Sequence, residues 1–246
     1  MLSVSFHFYR ELNDFLPKQW RQREFARQYP LPGSVKDAIE NLGVPHIEVD
    51  LILANGVSVD FDYRLGDGDR IAVYPLCESP DISPLTRLRP APLRRPRFVL
   101  DCHLGRLARH LRMLGFDTLF YRHCDDDTLL EISVSQRRIL LSRDRGLLKH
   151  GRLQRGYFVR ATAPKLQITE VVERLQLRHR FTPFSRCLAC NGLLSAVDRE
   201  AVLQRLPENT RRYFRDFFQC TDCARVYWKG SHYQRMQQLV RELAAR

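Results

Sequence analysis

FVLDCHLGRLARHLRMLGFD, residues 98–117, decides how the rest of the chain is read. The apolar run Phe98-Val99-Leu100 stops at Asp101. Leu104, Leu107, Leu111 and Leu114 then recur up to Gly115. A short apolar run reads as a buried strand, and leucines three and four apart read as the buried face of a helix. Glycine just past the last of them is a C-cap signal. Arg106, Arg109, His110 and Arg112 dot the same segment. Asp101 therefore ends a buried strand among positive charges. It reads either as an ordinary helix cap or as the holder of a metal ion that cuts an anionic polymer.

The alternation continues downstream. DTLFYRH reads as a second strand, and Thr128-Leu-Leu-Glu131 is a capping-box pattern opening a helix to about Gln136. RRILLS is a third strand, and a short helix covers roughly Arg145 to His150. GYFVRA is a fourth strand, and Pro164 starts a helix to about Arg178. Strands alternating with helices imply a parallel sheet with helices on both faces.

Upstream, SVSFHFYREL alternates as a half-buried strand does. Ser34 is placed to cap a helix from Val35 to Leu42, closed by Gly43. VDLILANGVSVDFDY reads as a hairpin about Asn55-Gly56, and LGDGDRIAVYP as a turn and a last strand. Strands around one central helix suggest a β-grasp, or ubiquitin-like, sheet. Residues 79–97 carry Pro80, Pro84, Pro90, Pro92 and Pro96 among arginines and read as a stiff basic linker. The expected organisation is α/β: a β-grasp domain (1–78), the linker (79–97), an α/β domain with a parallel sheet (98–180), and a cysteine-paired ribbon with a terminal helix (181–246).

Charge is distributed unevenly. Residues 1–80 carry 8 Lys+Arg against 12 Asp+Glu, whereas the whole chain carries 40 against 28. The basic excess beyond residue 80 favours a polyanionic partner. No apolar run approaches the ~18 residues of a membrane helix. The first residues lack the basic start and apolar stretch of a signal peptide. A cytoplasmic protein with no membrane partner is expected.

In an α/β sheet, chemistry gathers beyond the carboxyl ends of the parallel strands. Asp101 follows FVL, the run Asp125-Asp126-Asp127 follows TLFYRHC, and Asp144 follows RILLSR. Clustered carboxylates repel one another, and a divalent cation removes that penalty. Oxygen ligands suit Mg²⁺ or Mn²⁺, which accept phosphate oxygens and activate water. Within the acidic run Asp126 is the favoured ligand and Asp127 its close rival. Arg106, Arg143 and Arg145 flank these carboxylates and suit phosphate. Capping by the aspartates, and pairing of the arginines with them, are the competing uses.

Cys187-Leu-Ala-Cys190 and Cys220-Thr-Asp-Cys223 are separated by 29 residues. Duplicate Cys-x-x-Cys pairs suit a closed, tetrahedral, structural Zn²⁺ site. Tyr227, Trp228 and Lys229 follow. Trp228 and Lys229 are candidate RNA contacts by stacking and charge, with packing in the ribbon core the alternative. Phe214, Phe217 and Phe218 are expected to pack around the zinc.

FVLDCHLGRLARHLRMLGFDTLFY, DDDTLLEIS and RRILLSRDRGLL resemble the Mut-seven carboxy-terminal RNase family, a branch of the PIN-like nucleases. The resemblance covers residues 98 to about 235. It implies a PIN-like sheet, dependence on Mg²⁺ or Mn²⁺, and cleavage of RNA, with Asp101, Asp126 and Asp144 as the acidic site. Cys102-His103 and Ser133 depart from the family pattern. GVPHIEVDLILANG and GDGDRIAVYP resemble the ubiquitin-like sulfur carriers, and the module resembles the one often fused to this RNase family. Carriers need a free Gly-Gly tail, whereas this segment continues through Tyr74-Pro75-Leu76-Cys77. A stabilising module, or one that docks a protein partner, is therefore expected. The rival to a ribonuclease is a non-catalytic RNA-binding protein, ribosome- or tRNA-associated, with a vestigial site.

Overall fold

The computed structural model describes residues 1–75, 88, 93 and 95–245. The expected linker lies for the most part outside them. In chain order the elements are β1 (Leu2–Phe8), β2 (Phe25–Tyr29), α1 (Val35–Asn41), β3 (Val49–Ala54), β4 (Val57–Val59), β5 (Arg70–Pro75), β6 (Phe98–Leu100), α2 (Gly105–Met113), β7 (Thr118–Phe120), α3 (Asp126–Ser135), β8 (Ile139–Ser142), α4 (Arg145–Leu148), β9 (Gly156–Phe158), α5 (Pro164–Arg174), β10 (Leu194–Val197), α6 (Arg199–Val202), α7 (Glu208–Tyr213), β11 (Phe217–Cys220), β12 (Val226–Trp228) and α8 (Ser231–Ala245). The fold is mixed α/β: a β-grasp-like sheet, parallel strands with flanking helices, and an antiparallel sheet with the cysteine pairs. Contacts divide the chain into two compact units. The first is Met1–Leu93 with Asp126–Phe158, and the second is Arg94–Asp125 with Val159–Arg246.

In the first unit, the N-terminal sheet has the order β2-β1-β5-β3-β4, with β1 and β5 parallel. Alternation along β1 buries Val4, Phe6 and Phe8, and the helix α1 adds Val35, Ala38 and Ile39 to the same core. Ser34 caps that helix, its Oγ accepting from the Asp37 N–H at 3.1 Å. Asn55 and Gly56 have φ of 52° and 85° between the paired residues Ala54 and Val57. That is the two-residue hairpin turn the dipeptide favours. Strand β2 was not located in the sequence. Among the described residues it pairs only with β1, at the sheet edge, and its three central residues are exposed, so it carries no alternating apolar signal.

The same unit contains α3, β8, α4 and β9, with Leu140, Leu141 and Ser142 of β8 registered in parallel on Gly156, Tyr157 and Phe158. This segment is joined tightly to the β-grasp sheet. Glu48, fully buried, accepts the Phe158 N–H at 2.7 Å. His46 places Nδ1 2.6 Å from Glu40 Oε1 and Nε2 3.0 Å from the Leu153 carbonyl, so both ring nitrogens face acceptors. Lys149 donates to the Glu40 carbonyl at 2.6 Å. Phe158 meets Phe15 edge-on, with centroids 5.2 Å apart. A methyl group on Gly156 would lie 3.0 Å from Ile47 Cδ1, so the Ile47 side chain packs directly on the Gly156 backbone. The N-terminal module is thus built into this unit over a continuous packed surface.

Helix α3 begins at Asp126, two residues before the expected Thr128 start. Acidic side chains are favourable in a first helical turn, which explains the earlier start. Ser133 is buried and donates to the Arg138 carbonyl at 2.8 Å.

In the second unit β6 and β7 run parallel, Phe98 opposite Thr118. Leu104, Leu107, Leu111 and Leu114 are all buried, as the spacing requires. Gly115 has φ 94°, and a side chain there would collide with Thr182. Helix α5 packs beside α2 and starts at Pro164, but it ends at Arg174 rather than near Arg178, because Gln176 takes φ 50°. Strands β10, β11 and β12 form the antiparallel ribbon, and the last helix starts at Ser231.

Candidate metal sites

Asp101 lies directly after β6 and is only 6% exposed. It caps the following turn, its Oδ1 accepting from the His103 N–H at 3.2 Å. Asp144 is exposed and caps α4, its Oδ1 accepting from Gly146 N–H at 2.6 Å and Leu147 N–H at 3.3 Å. Buried Ser142 orients that turn by accepting the Asp144 N–H at 2.8 Å. Asp126 and Asp127 are exposed in the first turn of α3. The capping reading therefore holds for Asp101 and Asp144. A carboxylate offers about four acceptor positions, so capping and metal ligation are compatible. Asp126 and Asp144 belong to the first unit and Asp101 to the second.

The expected phosphate contacts differ in setting. Arg106 is exposed on α2, and Arg143 is half-buried between Ser142 and Asp144. Arg145 donates to the carbonyls of Phe15 and Asp14, both at 3.3 Å, and lies over the Phe15 and Phe158 rings at 5.1 and 5.5 Å. It ties the Asp144 turn to the β-grasp module. Lys229 is exposed, with Nζ 3.8 Å from Asp216. Trp228 is half-buried against the ribbon core of Val202, Leu206 and Phe217.

The four cysteines of the ribbon converge. Their sulfurs lie within 4.8 Å of one another, with Cys187–Cys223 at 3.6 Å and Cys190–Cys220 at 3.4 Å. A disulfide requires about 2.05 Å. Four sulfurs at about 2.3 Å from a tetrahedral zinc are about 3.8 Å apart, close to the spacing here. Each pair is followed by a left-handed residue, Asn191 (φ 79°) and Ala224 (φ 57°). Asn191 N–H donates to the Cys187 carbonyl and Ala224 N–H to the Cys220 carbonyl, at 3.0 and 3.1 Å. Two matching knuckles thus present four thiols that can hold a zinc ion.

The electrostatics match that donor set. Burial raises the Cys187 thiol, but donation from the Tyr227 hydroxyl at 3.1 Å and from nearby backbone N–H groups outweighs it and brings the group down to about 6. Burial, reinforced by the other three thiols, pushes Cys190 up to about 12. Burial also raises Tyr227, and the neighbouring Cys187 adds to the shift. Packed thiols ionise together only when a cation offsets their charge.

Sequence reasoning missed what anchors the first knuckle. Arg112 is 5% exposed. Its Nε donates to the Thr118 carbonyl at 2.9 Å, and its Nη1 to the Ala189 and Leu188 carbonyls at 2.8 and 3.3 Å. Burial lowers its pKa, opposed by the charges of Cys187 and Cys190. Asn191 accepts the Thr118 N–H and donates to Asp117, both at 2.8 Å. The available signal was an arginine four residues after buried Ala108, on the apolar face of α2.

A β-grasp module, parallel strands ending in carboxylates and a four-thiol knuckle pair together describe an α/β protein with a metal-capable ribbon. The chain belongs to the Mut7-C RNAse domain family, which matches residues 96–240, and residues 1–81 match the Mut7-C ubiquitin family. None of the curated proteins matches it. Among solved structures, the small archaeal modifier protein 1 of H. volcanii is 16% identical, covering 31% of this chain and 100% of its own, with a TM-score of 0.26. A proposed subunit 1 of molybdopterin converting factor from Pyrococcus furiosus is 20% identical, with 31% and 100% coverage and a TM-score of 0.25. Among the described residues no helix is long and apolar enough to cross a membrane.

Proposed function

We propose that the protein is a metal-dependent ribonuclease hydrolysing RNA phosphodiester bonds. The observation that carries this reading is the match of residues 96–240 to an RNase family, with Asp101 buried at the end of β6. Asp101, Asp126 and Asp144 would hold Mg²⁺ or Mn²⁺, with Asp127 the alternative to Asp126. An all-carboxylate set fits a hard divalent ion. When bound, the ion offsets phosphate charge and promotes ionisation of water. The capping bonds of Asp101 and Asp144 orient the carboxylates before substrate arrives, which is the preorganisation such a site needs. Arg106 and Arg143 would grip phosphate, with Trp228 and Lys229 as further RNA contacts. Arg145 would position the Asp144 turn through Phe15 and Phe158. The ribbon thiols would hold structural Zn²⁺, and the β-grasp module would steady its half of the nuclease while remaining able to meet a protein partner. The setting would be cytoplasmic.

Asp101→Asn tests the proposal. With labelled single-stranded RNA, duplex RNA and DNA, each in Mg²⁺ and in Mn²⁺, the wild type cleaves RNA. The variant loses about a hundredfold or more in rate, the scale of removing one electrostatic stabiliser, while its RNA affinity holds. A wild-type protein that binds RNA but cleaves it in neither metal leaves the non-catalytic RNA-binding reading in its place.

A further inference from the structure

Outside the ribbon, the described residues contain one other group of three metal-capable side chains. Asp101, Cys102 and His103 each place a ligand atom within 4.8 Å of the other two. The turn after β6 sets this up, with the Leu104 N–H donating to the Asp101 carbonyl at 3.0 Å and the His103 N–H to its carboxylate. Asp101 is buried, whereas Cys102 and His103 are exposed. A buried carboxylate thus provides a fixed ligand beside two exposed side chains.

The donor types decide which ion this turn takes. A hard ion such as Mg²⁺ uses the carboxylate and finds little in an imidazole or a thiolate. Zn²⁺ is bound by all three, and three protein ligands with a fourth position left for water are a recurrent zinc arrangement. Zn²⁺ also stands above Mn²⁺ in intrinsic affinity for such sites. Ligand atoms around a tetrahedral zinc lie roughly 3.3–3.8 Å apart, so closing the set from within 4.8 Å takes an adjustment of about 1 Å.

We propose that Asp101, Cys102 and His103 form a second transition-metal site, which takes Zn²⁺ or a similar borderline ion and thereby competes with the hard divalent ion for Asp101. Binding releases the Cys102 thiol proton to solvent and leaves a thiolate–metal bond, with no redox change. The competition rests on the function proposed above; the binding site does not.

The test uses the full chain with its ribbon loaded with zinc. Co²⁺ is added under anaerobic conditions while bound zinc is monitored. Thiolate-to-cobalt charge-transfer absorption reports the sulfur ligand, and the d–d bands report four-coordination. The wild type takes up one further Co²⁺ with both signatures. Cys102→Ser loses the charge-transfer band, and His103→Gln binds at least about tenfold more weakly, the lower end of what even an outer-shell change costs. No uptake beyond the ribbon, or an unchanged band in Cys102→Ser, overturns the site.

A separate arm measures RNA cleavage in Mn²⁺ as Zn²⁺ is raised, each protein scaled to its own zinc-free rate. Inhibition sets in at higher Zn²⁺ for Cys102→Ser than for the wild type. Equal inhibition of the two overturns the competition. A wild type that cleaves no RNA even without added zinc refutes the ribonuclease reading and leaves the cobalt result standing.

Discussion

Replacing Arg112 by methionine should unseat the first cysteine knuckle. The guanidinium is 5% exposed and serves three carbonyls, those of Thr118, Leu188 and Ala189, at 2.8–3.3 Å. Methionine fills much of the volume but donates nothing. Hydrogen bonds from a charged group contribute about 1.5–3 kcal/mol each, and losing one partner of a buried charged network costs about 3–5 kcal/mol. The three bonds share one side chain and will not add in full, so about 3–4 kcal/mol is expected. For a unit of this size each kcal/mol moves Tm by about 2–4 °C, which puts the drop near 10 °C. Thermal unfolding of the zinc-loaded full chain, followed by circular dichroism, measures it. Chelator competition should show faster zinc loss, since Arg112 also faces the Cys187 and Cys190 thiolates. Lysine restores the charge but not the fork to three carbonyls, so Arg112→Lys should recover less than half of the loss. A Tm within about 2 °C of wild type, with unchanged zinc retention, corresponds to under about 1 kcal/mol and would refute the reasoning.

Further outcomes follow from the same geometry. Glu48→Ala removes the buried acceptor of the Phe158 N–H; amide exchange at Phe158 should accelerate about tenfold or more, in line with about 1.5–3 kcal/mol, and no change would mean that β9 does not depend on the β-grasp module. Tyr227→Phe removes the donor to Cys187 and should cost about 10–100-fold in zinc affinity, measured against a fluorescent chelator. Because zinc ligation needs deprotonated thiols, zinc-dependent stability should decline as pH falls and protons compete for the four sulfurs, and zinc removal should abolish the dependence. Burial holds His110 below its ordinary value of 6.5, the Pro164 carbonyl opposing and Arg109 adding to the shift. The native state then favours the neutral ring, so its contribution is complete above about pH 6.5 and declines as pH falls below it, where the unfolded chain takes up the proton. His110→Leu should flatten that part of the stability profile.

The candidate site was legible where its signals are local. Asp101 and Asp144 were expected at strand ends and lie there as caps, because a buried strand that stops at a carboxylate before a helical pattern leaves little choice of place. Arg145 was read as a phosphate ligand from its neighbourhood in sequence. Its contacts are with Asp14 and Phe15, about 130 residues away, and no local pattern encodes them. Cys102 and His103 appeared only as departures from a family pattern, whereas the turn makes them neighbours of the Asp101 carboxylate.

By itself the sequence determined the elements whose cause lies within a few residues. The leucine spacing of α2, the Asn55-Gly56 turn and the two Cys-x-x-Cys knuckles each follow from short-range sterics, burial on one face, or ligand spacing. Tertiary structure alone decided what those faces meet. It set β2 on the sheet edge, packed His46, Glu48 and Phe15 of the β-grasp module against the β9 segment, and buried Arg112 beneath the first knuckle. Periodicity tells a side chain to leave water but does not name its partner; that choice comes from contacts distant in sequence, where shape and hydrogen-bond pairing act together.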